Sequence, residues 1–153
     1  MRVGDPAPDF SLRDQDGVER RLADFLATGP VVLFFYPAAS SSGCTRETCH
    51  FRDLAGEFAA AGASRVGISM DSVDTQATFA GHNRLDYPLL ADEGGAVARL
   101  YGVKRALDVL RVRRTTFVID ATGVVREIIA SELNMNVHAD RALAALAALI
   151  SPQ

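Results

Sequence analysis

Six consecutive apolar residues, Val31-Val32-Leu33-Phe34-Phe35-Tyr36, run up to Pro37 without a polar interruption. An apolar run of this length that does not alternate reads as a strand buried on both faces, so the chain must cover a sheet from two sides. The next residues join that constraint to a chemistry. A loop of small side chains, Ala38-Ala39-Ser40-Ser41-Ser42-Gly43, leads to Cys44. Beyond it Phe51, Leu54, Ala55 and Phe58 fall at helical spacing, predicting one helix that continues through Ala59 and stops near Gly62. The segment is laid out to present a thiol at a helix N-terminus.

The flanking segments supply the cover. Phe10-Ser11-Leu12 and Val18-Glu19-Arg20 surround Asp14-Gln15-Asp16-Gly17, predicting a hairpin, and Leu22 to Leu26 can form a helical turn. Arg65 to Met70 reads as a second buried strand, and Asp71 to Asp74 offer caps for a helix from Val73 to His82. Tyr87 to Leu90 reads as extended, and Ala96 to Tyr101 as a short helix closed by Gly102. Thr115 to Asp120 and Val124 to Ile129 flank Ala121-Thr122-Gly123 as a hairpin, and Val137 to Ile150 is a final helix. This order predicts an α/β fold, a central mixed β-sheet flanked by helices with an N-terminal β-hairpin extension. With 153 residues, the expectation is a single domain over 1–153.

Charge and hydropathy exclude several classes. A net charge of -3 argues against nucleic acid as a partner. Ala142 to Ile150 is too short to span a bilayer and the first residues carry no signal-peptide core, so no membrane is expected and the cytoplasm is the default location. The basic concentration of Lys104, Arg105, Arg111, Arg113 and Arg114 reads mostly as a solvated loop, unless one guanidinium reaches a site. Cysteines in a reducing compartment seldom form permanent staples, and a pairing there is usually transient and chemical.

Both cysteines, Cys44 and Cys49, lie in the helix-start segment. At Cys44 the unpaired N-H groups and positive dipole end of a helix favour a thiolate, the nucleophilic form, against the ordinary expectation of a buried, inert cysteine. Residues five apart on a wound helix have Cα atoms about 8 to 9 Å from each other. A disulfide needs about 7 Å or less. Cys49 is therefore either inert or able to meet an oxidised Cys44 only after the first turns unravel. Two cysteines with this spacing and no second pair are a poor zinc signature, so neither metal nor cofactor is expected. His50 faces another side of the helix, and His82 and His138 read as surface residues.

Pro37-x-x-x-Ser41-x-x-Cys44 resembles the Pro-x-x-x-Thr/Ser-x-x-Cys motif of peroxiredoxins. Gly43-Cys44-Thr45-x-Glu47-x-Cys49-x-Phe51-Arg52-Asp53 is similar to the peroxiredoxin Q, or bacterioferritin comigratory protein, branch. Gly4-Asp5-x-Ala7-Pro8-Asp9-Phe10, Val66-x-Ile68-Ser69-x-Asp71 and Arg114-x-x-Phe117-Val118-Ile119-Asp120 extend the likeness along the chain. The resemblance implies a thioredoxin-like fold and a site of Pro37, Ser41, Cys44 and Arg114. In it Pro37 shields the sulfur, the Ser41 hydroxyl bonds the peroxide, and the Arg114 guanidinium stabilises thiolate and developing oxyanion. Arg113 competes for that place, and strand alternation allows only one of the two to face Cys44.

The implied activity is thiol-dependent reduction of hydrogen peroxide and organic hydroperoxides. Cys44 becomes a sulfenic acid, Cys49 resolves it as a disulfide, and thioredoxin or a similar dithiol restores both thiols. The alternatives are a one-cysteine cycle resolved by an external thiol, and a peroxide sensor or binding module using the same cysteine. A monomer or weak homodimer is expected. The family usually has Thr-Pro where this chain has Ser41-Ser42. Losing the methyl group and the ring should leave an active but less well organised loop that unwinds more easily.

Overall fold

The computed structural model describes residues 1–39, 41–106 and 111–150. Strand β3 (Val31–Phe35) lies inside a seven-stranded sheet between β4 (Ser64–Ser69), parallel to it, and β6 (Thr115–Ile119), antiparallel. All five of its residues are buried, and they divide by parity between the sheet faces. Val31, Leu33 and Phe35 join one apolar cluster, while Val32, Phe34 and the following Tyr36 join the other. The absence of alternation in the sequence thus has its cause in two cores sharing one strand.

The sheet continues outward from β4 through β5 (Leu89–Ala91) to the hairpin of β1 (Ser11–Arg13) and β2 (Glu19–Arg21). On the other side β6 pairs with β7 (Val125–Ala130), with a register shift between Val118 and Ile119. In the first hairpin Asp14 shapes the turn, its Oδ1 accepting the N-H groups of Asp16 and Val18. The helices are α1 (Leu22–Leu26), α2 (Ser42–Asp53), α3 (Ala55–Ala60), α4 (Val73–His82), α5 (Ala96–Leu100) and α6 (Asn136–Ile150). None of those described is long and apolar enough to cross a membrane.

The face bearing α2 is aromatic. Phe34 stacks on Phe51 with ring centroids 4.2 Å apart, and Phe51 meets Phe58 at 5.6 Å. This packing needs a bare backbone on the neighbouring strand, because a Cβ on Gly67 would lie 2.8 Å from Leu89 Cδ2 and 3.0 Å from Phe34 Cζ.

One helix expected to run through Ala59 is two. The path breaks at Leu54, where φ is -96° and ψ 21°. At the break the Phe51 carbonyl, which a continuous helix would give to the Ala55 N-H, accepts the Arg65 guanidinium at 2.9 Å. The competing donor comes from β4, out of reach of a periodicity argument.

Candidate active site

Helix α2 begins with a side-chain cap. Ser41, extended at φ -74° and ψ 149°, accepts the Cys44 N-H on its Oγ at 3.2 Å and donates its hydroxyl to the Ala38 carbonyl at 3.1 Å. Cys44 is then the third helical residue, inside the turn whose N-H groups make up the positive end of the dipole. That turn contains no acidic side chain to cancel it. Cys44, Glu47, Thr48 and Phe51 form the buried stripe of α2, and Cys44 is 0% exposed.

Arg114 closes the site from the strand side. Thr115, the first residue of β6, is in register with Phe35, the last of β3, so the residue before it arrives beside the loop that leaves β3. The guanidinium forks: Nη2 lies 3.3 Å from Cys44 Sγ and Nη1 lies 2.7 Å from Glu47 Oε1. Its backbone N-H donates to Glu132 Oε1 at 2.9 Å. Arg113 is exposed, so alternation turns the two arginines apart as expected. Above the helix start, a Cβ on Gly43 would meet Arg114 Nη2 and Met135 Sδ, each at 3.4 Å, so this turn is built closely against the guanidinium.

The basic concentration is not mainly a solvated loop. Arg105 pairs with Glu132 at 3.0 Å, Arg111 with Asp71 at 2.9 Å, and Arg114 with Glu47. His138 is also not a surface residue: its ring is fully buried, with Nε2 2.9 Å from the Ser131 carbonyl and Nδ1 2.8 Å from Thr116 Oγ1. A carbonyl only accepts, so Nε2 carries the proton and Nδ1 accepts the Thr116 hydroxyl in the neutral ring. Burial holds His138 below its ordinary value, against the raising effect of the Ser131 carbonyl.

Glu47 and His138 are the functional candidates that the sequence reading passed over, and both had a legible signal. Glu47 stands three residues after Cys44 on the same helical face. His138 belongs to a stripe of Met135, Ala139, Ala142 and Leu146, all buried.

Burial pushes the Glu47 carboxyl up, to about 8, although Arg114 pulls the other way. Burial also works against the Arg114 charge, but Glu47 and Cys44 beside it outweigh that and hold the guanidinium above its ordinary value. Because the folded value of Glu47 is raised, its contribution to stability is complete below the ordinary value of 4.5 and is lost as pH rises through about 8. Thermal melts across that window should show Glu47→Gln flattening the decline of stability with pH. An unchanged slope would mean that Glu47 is not the group responsible.

Pro37, two residues beyond the end of β3, is half-buried, and its carbonyl accepts Arg111 Nη1 at 3.1 Å. Cys49 leaves the Cys44 stripe and points to the far end of α4, its thiol donating to Asn83 Oδ1 at 3.7 Å. Both cysteines are free thiols. The structure therefore gathers Pro37, Ser41, Cys44 and Arg114 at one end of β3 and β6, and holds Cys49 apart from them. His50 reaches Asp140 at 2.8 Å. Among the described residues no three His, Cys, Asp or Glu side chains form a group able to hold a metal ion.

Comparison with known proteins agrees over nearly the whole chain. Residues 3–128 match the AhpC/TSA family. The crystal structure of peroxidoxin BcpB from Mycobacterium tuberculosis is 57% identical and superposes with a TM-score of 0.95, covering 99% of each chain. Chloroplastic peroxiredoxin Q of Populus jackii is 40% identical over 149 residues, 97% of this chain and 70% of that one. The bacterioferritin comigratory protein of Xanthomonas campestris is 32% identical, with a TM-score of 0.84 over 92% of this chain and 91% of that chain.

Proposed function

The chain belongs to the AhpC/TSA family, in its peroxiredoxin Q branch with the thioredoxin-like fold, and from that premise we propose that Cys44 is its peroxidatic cysteine. The protein is a thiol peroxidase. The observation that carries the assignment to Cys44 is the guanidinium of Arg114 at 3.3 Å from a buried sulfur in the first turn of a capped helix. A thiolate there is stabilised by a full positive charge and by the helix N-terminus together.

In the first step the Cys44 thiolate attacks one oxygen of the peroxide. The S-O bond forms, the O-O bond breaks, and the departing alkoxide or hydroxide takes up a proton to leave as alcohol or water. Arg114 faces both the sulfur and the oxygen on which charge grows, so its fixed donors are worth most in the transition state. The Ser41 hydroxyl, placed by the Ala38 carbonyl, is the second polar group offered to the peroxide, and Pro37 keeps water from the sulfur.

In the second step Cys49 attacks Cys44 Sγ; the S-S bond forms, the S-O bond breaks, and the hydroxide leaves as water with the proton of the Cys49 thiol. The first turns of α2 unwind for this, since the cysteines stand five positions apart on the wound helix. A thioredoxin-type dithiol then reduces the disulfide. We place this cycle in the reducing cytoplasm and assign it to residues 1–153 acting as one domain, monomeric or weakly dimeric, with neither nucleic acid nor membrane as partner.

Intact mass after one equivalent of peroxide tests the cycle. Loss of two hydrogens supports the Cys44–Cys49 disulfide, whereas a persistent gain of oxygen transfers resolution to an external thiol. Slow, stoichiometric oxidation without turnover in the presence of a dithiol would make the site a sensor.

The Ser41-Ser42 pair bears on the balance of the two steps. Ser42 occupies the first helical position, where proline fits and is preorganised, and Ser41 is the cap, a place threonine also fills. The double change Ser41→Thr, Ser42→Pro should speed peroxide reduction and slow disulfide formation. Stopped-flow traces that show the first step unchanged or slower would refute this account of the loop.

A further inference from the structure

The loop that carries the cap of α2 is gripped from outside. Arg111 Nη1 donates to the Pro37 carbonyl at 3.1 Å and to Asp71 Oδ1 at 2.9 Å. The other oxygen of Asp71, Oδ2, accepts the Ala39 N-H at 2.7 Å and the Ser69 hydroxyl at 2.6 Å. Ser69 Oγ in turn accepts Gln76 Nε2 at 2.9 Å, a bond inside the buried interior. One ion pair thus holds the residues on both sides of Ala38. The Ala38 carbonyl receives the Ser41 hydroxyl, and Ser41 Oγ receives the Cys44 N-H. From Arg111 to Cys44 the chain of contacts is unbroken.

The three anchors share one end of the sheet. Asp71 follows β4, the loop follows β3, and Arg111 precedes β6, with β4, β3 and β6 adjacent in that order. Arg111 adopts φ +54°, a left-handed conformation that side chains other than glycine, asparagine and aspartate seldom take. Its backbone is pinned there by the Arg105 N-H, which donates to the Arg111 carbonyl at 2.8 Å. Such conformations persist where surrounding contacts over-determine them, and they concentrate at functional sites.

We propose that Arg111 and Asp71 are positioning residues for the peroxidase reaction, a clamp that holds the Pro37–Ala39 loop and, through the Ser41 cap, sets the balance between the wound and unwound first turns of α2. A closed clamp keeps Cys44, its N-H and the Ser41 hydroxyl in the arrangement that reduces peroxide. An open clamp frees the cap and favours the unwound helix in which Cys49 reaches the sulfenic acid. Among the described residues, the side-chain hydrogen bonds of Arg111 and Asp71 end on the loop, on Ser69 and on each other. The clamp acts on the two chemical steps in opposite directions.

Arg111→Gly separates this role from simple support, because glycine accepts φ +54° without strain and should leave the melting temperature close to that of the parent. Asp71→Asn is the companion variant: its amide can accept only on one side, so either the Ala39 or the Arg111 arm is lost. Quenched-flow intact mass, following first the gain of oxygen and then the loss of two hydrogens, reads both steps in one experiment. In each variant oxygen gain should slow by about tenfold, and disulfide formation from the sulfenic acid should quicken by about tenfold. Unchanged rates, or both steps slowing together with a lowered melting temperature, would overturn the clamp. The inference rests on the peroxidase reading, whose failure looks different: parent protein that never gains oxygen at Cys44.

Discussion

Cys44→Ser should reduce the reaction with peroxide to background, while Cys49→Ser should gain one oxygen at the parent rate and then stop short of the disulfide. The difference follows from where the two sulfurs lie. Cys44 is wholly buried, 3.3 Å from Arg114 and inside the capped turn, so removing its sulfur removes the proposed nucleophile. A serine hydroxyl in its place stays protonated at neutral pH and has little nucleophilicity. Cys49 touches neither Arg114 nor the cap; its thiol faces Asn83 at the far side of α2. Stopped-flow mixing with peroxide, followed by mass analysis of the quenched protein, distinguishes the two variants. Should Cys49→Ser block the first oxygen transfer, the roles of the two cysteines are reversed.

Arg114→Lys should lower the second-order rate constant for peroxide by about 10²- to 10³-fold, the usual range for losing one donor aimed at a developing oxyanion. Lysine keeps a cationic donor beside the buried Glu47 carboxyl in either protonation state, so the fold should survive. What it loses is the fork. A single ammonium cannot occupy both the place 3.3 Å from Cys44 Sγ and the place 2.7 Å from Glu47 Oε1 in the planar geometry of a guanidinium. Single-turnover kinetics over a range of peroxide concentrations, with circular dichroism to verify the fold, make the measurement. A loss smaller than about tenfold would show that charge alone, not the fork, does the work of Arg114.

How far the sequence discloses such a site depends on the range of the contacts that make it. The strand Val31–Phe35 and the helix start after the small-residue loop depend on near neighbours, and both are legible in the sequence, whereas the capping role of Ser41 comes from the structure. The competition between Arg113 and Arg114 is also legible, because alternation along a strand is local. The register of Phe35 against Thr115, which brings Arg114 to the thiol, is a pairing between residues far apart in the chain. No periodicity encodes it; only the family motif pointed there. The break at Leu54 and the Arg111–Asp71 pair fail for the same reason, since each requires a donor from a distant strand end. The surface expectation for His138 fails differently: several of its neighbours in sequence are polar, but its hydrogen-bonding partners lie on β6 and just beyond β7.

The antiparallel entry of β6 beside β3 has a consequence for how the protein is made. Synthesis delivers Cys44 early, together with the strand and helix that frame it, but Arg111 and Arg114 emerge some 70 residues later and reach the thiol only when β6 docks between β3 and β7. Until then the nascent chain carries a cysteine without its guanidinium partner and without the outer hold on its loop. With Cys44 as the proposed peroxidatic cysteine, fast reaction with peroxide should belong only to the finished molecule, and oxidation of Cys44 during pulse-labelled synthesis would time the moment at which the last part of the sheet closes.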